Sequence, residues 1–280
     1  MRKNQPSCRS QFPGAELADE KHLLSNCSSF RIVFCDMSAR FRRLVLLLSL
    51  AIVSSVVAVP AGFSDFPKTI LWAWDRAEDL RFLPASAGVA FLADTIAIST
   101  GKISERLRSE PVQISAGVPR LAVVRIETKP NSLTPEARSR VAGSVLRAAR
   151  LEGVSGIQID FDTRRSERAW FRDLLLDVRQ KLPRQQTLSI TALASWCEGD
   201  DWISDLPIDE AVPMLFRLGP ERDTFRRLAA CDHEFREHLC RSSFGFSTDE
   251  AGLSSCGKRV YWFSPVPWTS ALFSRTGESK

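Results

Sequence analysis

The chain has 280 residues, 44% hydrophobic and 25% charged, which is enough for one large domain or two small ones. Its formal charge of +5 arises mainly in the first 61 residues, which carry 8 Lys/Arg and 4 Asp/Glu and leave 30 basic against 29 acidic residues in the rest. This near balance excludes the strongly basic surface typical of proteins that bind nucleic acid or anionic membranes.

An export signal is the first feature in chain order. Basic residues after Met37 precede an apolar run that ends at Val59, and Ala61 lies just before Gly62. This layout predicts a secretory signal peptide over 37–61, cleaved near Ala61. An uncleaved membrane anchor is the alternative, because the apolar run could extend to about 20 residues.

Residues 1–36 have no place in such a signal, since its charged end should come first. We therefore expect Met37 to be the natural start and residues 1–36 to be an over-extended reading frame.

Pro60 and the serines of the apolar run disfavour a membrane anchor. Residues 62–280 are expected to form a single domain, periplasmic or secreted, that meets the membrane only through the signal segment during export.

Eight segments of this domain have strand-like apolar patterns. They lie at 69–76, 88–98, 120–128, 155–163, 187–195, 212–219, 242–248 and 258–265. Several are apolar at most positions, as expected when both faces of a parallel sheet are covered.

Helices are predicted between some of these strands. Thr134 is a good N-cap with Pro135 behind it, and Gly153 stops the helix that follows. The next helices are predicted over about 165–182 and, less regularly, 220–239. Strands alternating with helices indicate an α/β protein with a parallel sheet.

Eight strands in about 200 residues fit a (β/α)₈, TIM-barrel-like fold that is small and partly irregular. The irregularity lies at 99–117, where Gly101 and Pro111 disfavour a helix and suggest a hairpin or an extended loop. An open doubly wound sheet is the alternative. No glycine-rich phosphate loop follows the first strand, which makes a nucleotide-binding fold of that kind less favoured.

The segment GVSGIQIDFDT, residues 153–163, alternates apolar and polar side chains. Gln158, Asp160 and Asp162 share one face of the strand, because side chains two apart point the same way. We expect this face to look into the barrel, with Asp162 at the carboxyl end where barrel enzymes keep their active sites. Two close carboxylates oppose each other's ionisation, so one holds a proton and can act as a general acid.

A structural interpretation of the same residues is the alternative. Asp162 or Thr163 could cap the helix that follows, and Asp160 could pair with an arginine such as Arg125 inside the barrel.

The segment SGIQIDFD resembles the fourth-strand signature of the family 18 glycoside hydrolases, the chitinase-like barrels. In that signature, acidic residues alternate and the last one is the catalytic glutamate. Gln158 and Asp160 fall on the two supporting aspartates, and Asp162 falls on the acid. The resemblance implies a glycan-cleaving barrel in which Asp162 donates the proton and Asp160 assists it.

The segment AVPMLFRLG is similar to the sixth-strand Met-x-Tyr-Asp of the same family. Met214 is kept, whereas Phe216 and Arg217 stand in place of the Tyr and Asp. Those two residues help that family use the substrate's own acetamido group. Their replacement puts this particular mechanism in doubt for the present chain.

A more extensive resemblance is to domain-of-unknown-function family 3142, a group of exported bacterial proteins. It is carried by WAWDRAEDLRFL, GIQIDFDTRRSER, LSITALASWC and LPIDEAVPMLFRLG. The resemblance implies a barrel-like fold and export from a bacterial cell, but no activity.

Further substrate-binding candidates lie mostly at predicted strand ends, and exposed tryptophans there suit sugars, whose C–H faces stack on aromatic rings. The candidates are Gln158, Trp74, Asp75, Glu127, Trp196, Met214, Arg217 and Trp262. Two-carboxylate hydrolysis needs a second group besides the acid, and either Asp75 or Glu127 could supply it. The competing interpretation is a non-catalytic carbohydrate-binding or cell-envelope barrel.

Four cysteines follow the signal segment. They are Cys197, Cys231, Cys240 and Cys256. An even number in an exported protein predicts two disulfides, with three possible connectivities. A zinc site using His233 and His238 is the alternative, but the spacings fit no compact metal pattern, and no metal or other cofactor is predicted.

Overall fold

The computed structural model describes residues 63, 66–228, 231, 234–250 and 254–277. The described residues do not include the predicted signal peptide (37–61), the segment that precedes it (1–36) or His233.

Eleven strands are present among the described residues. They are β1 (Thr69–Ala73), β2 (Glu78–Asp79), β3 (Ala87–Ser99), β4 (Lys102–Leu107), β5 (Val112–Gln113), β6 (Arg120–Thr128), β7 (Val154–Asp160), β8 (Thr187–Leu193), β9 (Glu210–Met214), β10 (Ser243–Ser247) and β11 (Arg259–Phe263). Eight of them pair in parallel in the order β1-β3-β6-β7-β8-β9-β10-β11, and β11 pairs back with β1. The sheet is therefore a closed (β/α)₈-type barrel, which confirms the predicted fold.

Helices cover the outside of the barrel. They are α1 (Pro135–Ala148), α2 (Arg168–Lys181), α3 (Ala194–Glu198), α4 (Arg222–Leu228) and α5 (Ser270–Thr276), with short 3₁₀ turns at Arg165–Glu167, Asp201–Ile203, Gly219–Glu221 and His238–Cys240. The side chain of Thr134 caps α1 as expected, accepting a hydrogen bond from the Ala137 amide at 3.1 Å. No described helix has the length and hydrophobicity needed to cross a membrane.

The helix predicted over 220–239 is a short one. α4 ends at Leu228, and the last part of the predicted range belongs to a 3₁₀ turn. This turn is tied to α3, because the Glu237 amide donates to the Cys197 carbonyl at 3.0 Å and Cys197 is bonded to Cys240. These tertiary contacts override the weak helical pattern.

The segment 99–117, predicted to be a hairpin or an extended loop, contains β4 and β5, and β4 forms a hairpin with the end of β3. The first half of β3 pairs with β1, and beyond the end of β1 the same edge pairs antiparallel with β4 to form a hairpin. A β-bulge between Leu92 and Asp94 lies at this change of partner. The bulge shifts the alternation, so that Ile96 and Ile98 join the core beneath the helices.

The barrel interior combines a small apolar cluster with a buried polar chain. The apolar residues include Trp72, Leu92, Val123 and Val212. Glu210 lies below them and is fully buried, with Arg259 donating to it at 2.6 Å and Tyr261 donating at 2.8 Å. An ion pair with these additional hydrogen bonds is the form in which buried charges are tolerated.

Both predicted disulfides are present. Cys197 is bonded to Cys240, and Cys231 to Cys256. The first links α3 to the 3₁₀ turn that precedes β10, and the second links the segment before β10 to the one after it. Disulfides of this kind are typical of proteins in oxidising compartments.

Candidate functional site

The alternation of β7 places its polar residues inside the barrel. Gln158 is fully buried. Its side-chain oxygen accepts a hydrogen bond from the Trp72 indole at 2.7 Å, and its amide donates to Ser189 at 3.2 Å. Two residues further along, Asp160 also faces inward but lies nearer the open end. Ile157 and Ile159 pack on the opposite side, in the core beneath the helices.

A cavity of about 280 Å³ opens at the carboxyl end of the barrel strands. Its lining residues come from six strands or the turns that follow them: Trp72, Trp74, Arg125, Asp160, Asp162, Thr191, Met214, Phe216, Arg217 and Phe263. The volume is near the lower end of the range for small-ligand sites, about 300–1,000 Å³. One sugar unit or another small group is therefore a suitable occupant.

Asp160 forms the polar part of the cavity floor. It is 8% exposed. One oxygen accepts from the Thr191 hydroxyl at 2.7 Å, and the other accepts from Arg125 at 3.4 Å. Burial raises the pKa of Asp160, while Thr191 and Arg125 act in the opposite direction. The pairing with Arg125 follows from the register, because the two residues are direct partners across β6 and β7.

Asp162 lies at the rim and is exposed. Partial removal of water by the surrounding protein raises the pKa of Asp162, and the Arg125 charge counteracts this. Asp162 does not cap the next helical segment. That role belongs to Arg164 and Glu167, since the Glu167 carboxylate accepts from the Arg164 amide at 2.8 Å. Asp162 is thus free of the capping role that the sequence left open.

A second cavity of about 270 Å³ adjoins the first. The two share Arg125, Asp160 and Asp162, and the second is also lined by Glu127 and Arg164. Arg125 bridges the carboxylates, donating to Glu127 at 3.0 Å as well as to Asp160. Of the two candidates for a second acidic group, Glu127 is therefore the one that lines a cavity together with Asp162.

Aromatic side chains form the other wall of the first cavity. Phe216 and Phe263 stack with centroids 5.6 Å apart and an interplanar angle of 1°. Trp74 meets Phe263 edge-on at 6.5 Å, and the Arg125 guanidinium lies 5.7 Å from the Trp74 ring centroid. The pocket thus has apolar rings facing carboxylates, which is a suitable arrangement for a ligand with both C–H faces and hydroxyl groups.

The structure corrects the expected position of four candidates. Trp196 and Trp262 are 4% and 7% exposed and pack in the core beneath the helices, against Trp202 and Phe246 respectively. Gln158 is sealed below the floor. Asp75 lies outside the cavity lining and forms an ion pair with Arg106 of the β3–β4 hairpin.

Trp196 is buried because the chain turns into α3 directly after β8, which directs this side chain into the layer around the barrel. Trp262 follows the strand alternation of β11, where the buried Tyr261 faces inward and its neighbour faces outward.

Three lining residues, Trp72, Thr191 and Phe263, were not singled out from the sequence. Thr191 lies two positions before the end of β8 and Phe263 is the last residue of β11. Alternation counted from a known inward residue would have identified both, since Ser189 and Tyr261 each lie two residues earlier and face inward. The described residues contain no group of three or more His, Cys, Asp and Glu side chains that could hold a metal ion.

Residues 116–218 match a family model described as a domain of unknown function, DUF3142. This confirms the expected resemblance for that part of the chain, which carries the Asp-containing strand β7. No curated protein is significantly similar in sequence.

Some solved structures show limited similarity to this one, at low sequence identity. A putative chitinase A from Streptomyces coelicolor shares 10% identity over 76% of this chain and 95% of that chain, with a TM-score of 0.48. A family GH18 chitinase from Chromobacterium violaceum shares 11% over 71% and 79%, with a TM-score of 0.48. The chitinase domain of the spore coat protein CotE from Clostridium difficile shares 15%, with a TM-score of 0.37, over 52% of this chain and about half, 49%, of that one.

Proposed function

We propose that this protein is an exported glycoside-hydrolase-like barrel that binds a glycan in the first cavity and cleaves a glycosidic bond with Asp162 as proton donor. The observation that carries the proposal is the environment of Asp162. It is a carboxyl group with a raised pKa at the rim of an aromatic-walled cavity. An environment that favours the protonated form of a carboxyl group is what general acid catalysis of glycoside cleavage uses.

The chemistry needs a proton donor and a second carboxylate. Asp162 would protonate the leaving glycosidic oxygen as its bond to the anomeric carbon breaks, and Glu127 would take a proton from the water that attacks this carbon. Each turnover would leave Asp162 ionised and Glu127 protonated, and proton exchange with solvent would restore both. Asp160 would keep Arg125 in place through their ion pair. Glu127 fits the second role because its cavity includes Asp162.

Export is part of the proposal. The two disulfides support a periplasmic or secreted location, since such bonds persist in oxidising compartments. The basic and apolar pattern after Met37 supports cleavage near Ala61.

A binding barrel without hydrolysis is the second candidate. The observation in its favour is that Asp160 is held on both oxygens, by Thr191 and Arg125, and that Asp160 and Asp162 are the two carboxylates lining the first cavity. With Glu127 partly neutralised by Arg125, such a site could bind a sugar without cleaving it.

The test is a panel of soluble polysaccharides, neutral and acidic, scored both for binding and for the release of new reducing ends. Product released by the purified protein supports hydrolysis. Binding without product, from pH 4 to pH 8, would leave the binding barrel. If no glycan binds, both candidates are excluded.

Replacing Trp74 with alanine is expected to weaken glycan binding about tenfold or more. The substitution removes an aromatic ring that lines the cavity and lies against the Arg125 guanidinium. The loss of an aromatic contact with the ligand should reduce the binding free energy by about 1.5 kcal/mol. Isothermal titration with a glycan identified in the panel measures the change. Trp74→Phe retains an aromatic face and should keep most of the affinity. Equal affinity of the alanine variant and the original protein would remove Trp74 from the site.

A further inference from the structure

Arg217 differs from Arg125, the other arginine of the first cavity. Its guanidinium carbon lies 5.2 Å from the centroid of the Phe263 ring, at the cavity wall. None of the carboxylates in the described part of the chain forms an ion pair with it, whereas Arg125 is shared between Asp160 and Glu127. Arg217 therefore presents a positive charge to the cavity without an acidic partner to neutralise it.

The backbone holds Arg217 in an unusual conformation. Its φ is 54°, in the left-handed region that residues with a side chain rarely adopt. The Glu250 carboxylate accepts a hydrogen bond from the Arg217 amide at 2.8 Å, and Arg222 lies 3.4 Å from the same carboxylate. Conformations of this kind persist where surrounding contacts fix them, and they occur often at ligand-binding sites.

The position of Arg217 favours an anionic ligand. Arg125 is engaged by Asp160 and Glu127, whereas Arg217 lies in the cavity lining over the Phe263 ring. Of the two arginines that line this cavity, Arg217 is the one that forms no ion pair with a described carboxylate. A guanidinium over an aromatic face still offers its N–H groups in a planar fork, and this geometry matches a carboxylate.

We propose that the cavity selects an acidic sugar unit, such as a uronic acid, and that Arg217 binds its carboxylate. This inference rests on the proposed function, because it names the substrate class for the same cavity. The stacked rings of Phe216 and Phe263 would bound the apolar side of the sugar, while Arg217 would hold the acid group beside Phe263. The size of the cavity restricts this recognition to about one unit of a longer chain.

The test compares oligosaccharides of equal length that differ only in the acid group, glucuronic acid against glucose and galacturonic acid against galactose. The original protein is expected to bind the acidic member about tenfold or more tightly, the usual effect of a charge-assisted hydrogen bond pair. Arg217→Asn should abolish this preference while neutral oligosaccharides still bind. Asparagine tolerates the left-handed conformation, so the variant is expected to fold.

Arg81→Asn is the matched control. Arg81 is exposed, does not line the cavity and carries the same charge, so its loss should leave the preference unchanged. A sulfated oligosaccharide of the same length distinguishes recognition of carboxylate from recognition of any anion. Equal binding of acidic and neutral members, or a preference that survives Arg217→Asn, overturns the inference while leaving the proposed function intact. Failure of every oligosaccharide to bind overturns the proposed function itself.

Discussion

Asp162→Asn is expected to lower the rate of glycan cleavage by about 10²- to 10⁴-fold, the usual effect of removing a general acid. The amide keeps the shape of the side chain and cannot donate a proton to a leaving oxygen. Because Asp162 is exposed at the rim and does not cap a helix, the substitution should leave the fold intact. Steady-state release of reducing ends gives the rate, and titration of the same glycan gives the affinity.

The pH profile provides an independent measure of this role. The raised pKa of Asp162 means that the activity of the original protein should fall as pH rises through that pKa, because the proton is then lost. Asp173→Asn is the control, since Asp173 is an exposed carboxylate on α2 paired with Arg138. An Asp162→Asn variant that cleaves at an undiminished rate would show that the proton comes from another group.

Asp94→Asn is expected to stabilise the protein above neutral pH, by an amount of order 2–4 kcal/mol. Asp94 is 2% exposed beside the bulge of β3, and one of its oxygens has no hydrogen-bond partner in the described structure. Burial, followed by the neighbouring carboxylate of Glu105, raises the pKa of Asp94 from 3.8 to about 7. Burial opposes the ionisation of Glu105, but hydrogen bonds from Ser144 and Asp94 and the charge of Arg147 lower its pKa overall, so the proton of this pair is held on Asp94.

The sign of the effect follows from proton binding. Between pH 3.8 and about 7, the folded protein retains on Asp94 a proton that the unfolded chain releases. The contribution of Asp94 to stability is therefore greatest at low pH and is lost as pH rises through this window. An amide donates permanently to Glu105, so Asp94→Asn should remove this part of the pH dependence.

Urea unfolding of both proteins at pH 5, 7 and 9 measures the difference. The two unfolding free energies should diverge as pH rises. Asp79→Asn is the control, because Asp79 is exposed and its pKa is lowered to about 2 by hydrogen bonds from Arg81, which places its titration below this range. Parallel pH dependence of the original protein and Asp94→Asn would show that Asp94 is already ionised in the folded state.

Much of the fold and one side of the site could be predicted from local patterns. The eight apolar segments correspond to the eight barrel strands, and the alternation in β7 correctly directs Gln158 and Asp160 inward. Such patterns suffice where a strand continues without interruption. They fail where the chain changes direction, as at Trp196, which leaves β8 for α3 and is carried into the outer layer.

The rest of the site depends on contacts that no local pattern contains. The stack of Phe216 on Phe263 joins residues that follow β9 and end β11, with β10 between these strands. The outward position of Asp94 arises from a bulge, and the sequence around it gives no sign of the extra residue. The lack of an ion-pair partner for Arg217 among the described carboxylates can be recognised only from their positions in space.

A chain of hydrogen bonds inside the barrel runs from Trp72 to Glu210, and each side chain in it donates to the next. This explains why the side chain at position 158 is an amide. Trp72 donates to Gln158, Gln158 donates to Ser189, and Ser189 donates at 3.4 Å to Glu210. A carboxylate at 158 can accept but cannot donate, so the serine proton would have to turn upward and Glu210 would lose one of its donors. The buried ion pair between Glu210 and Arg259 at one end of the barrel therefore restricts which side chain can occupy position 158, directly beneath the ligand cavity at the other end.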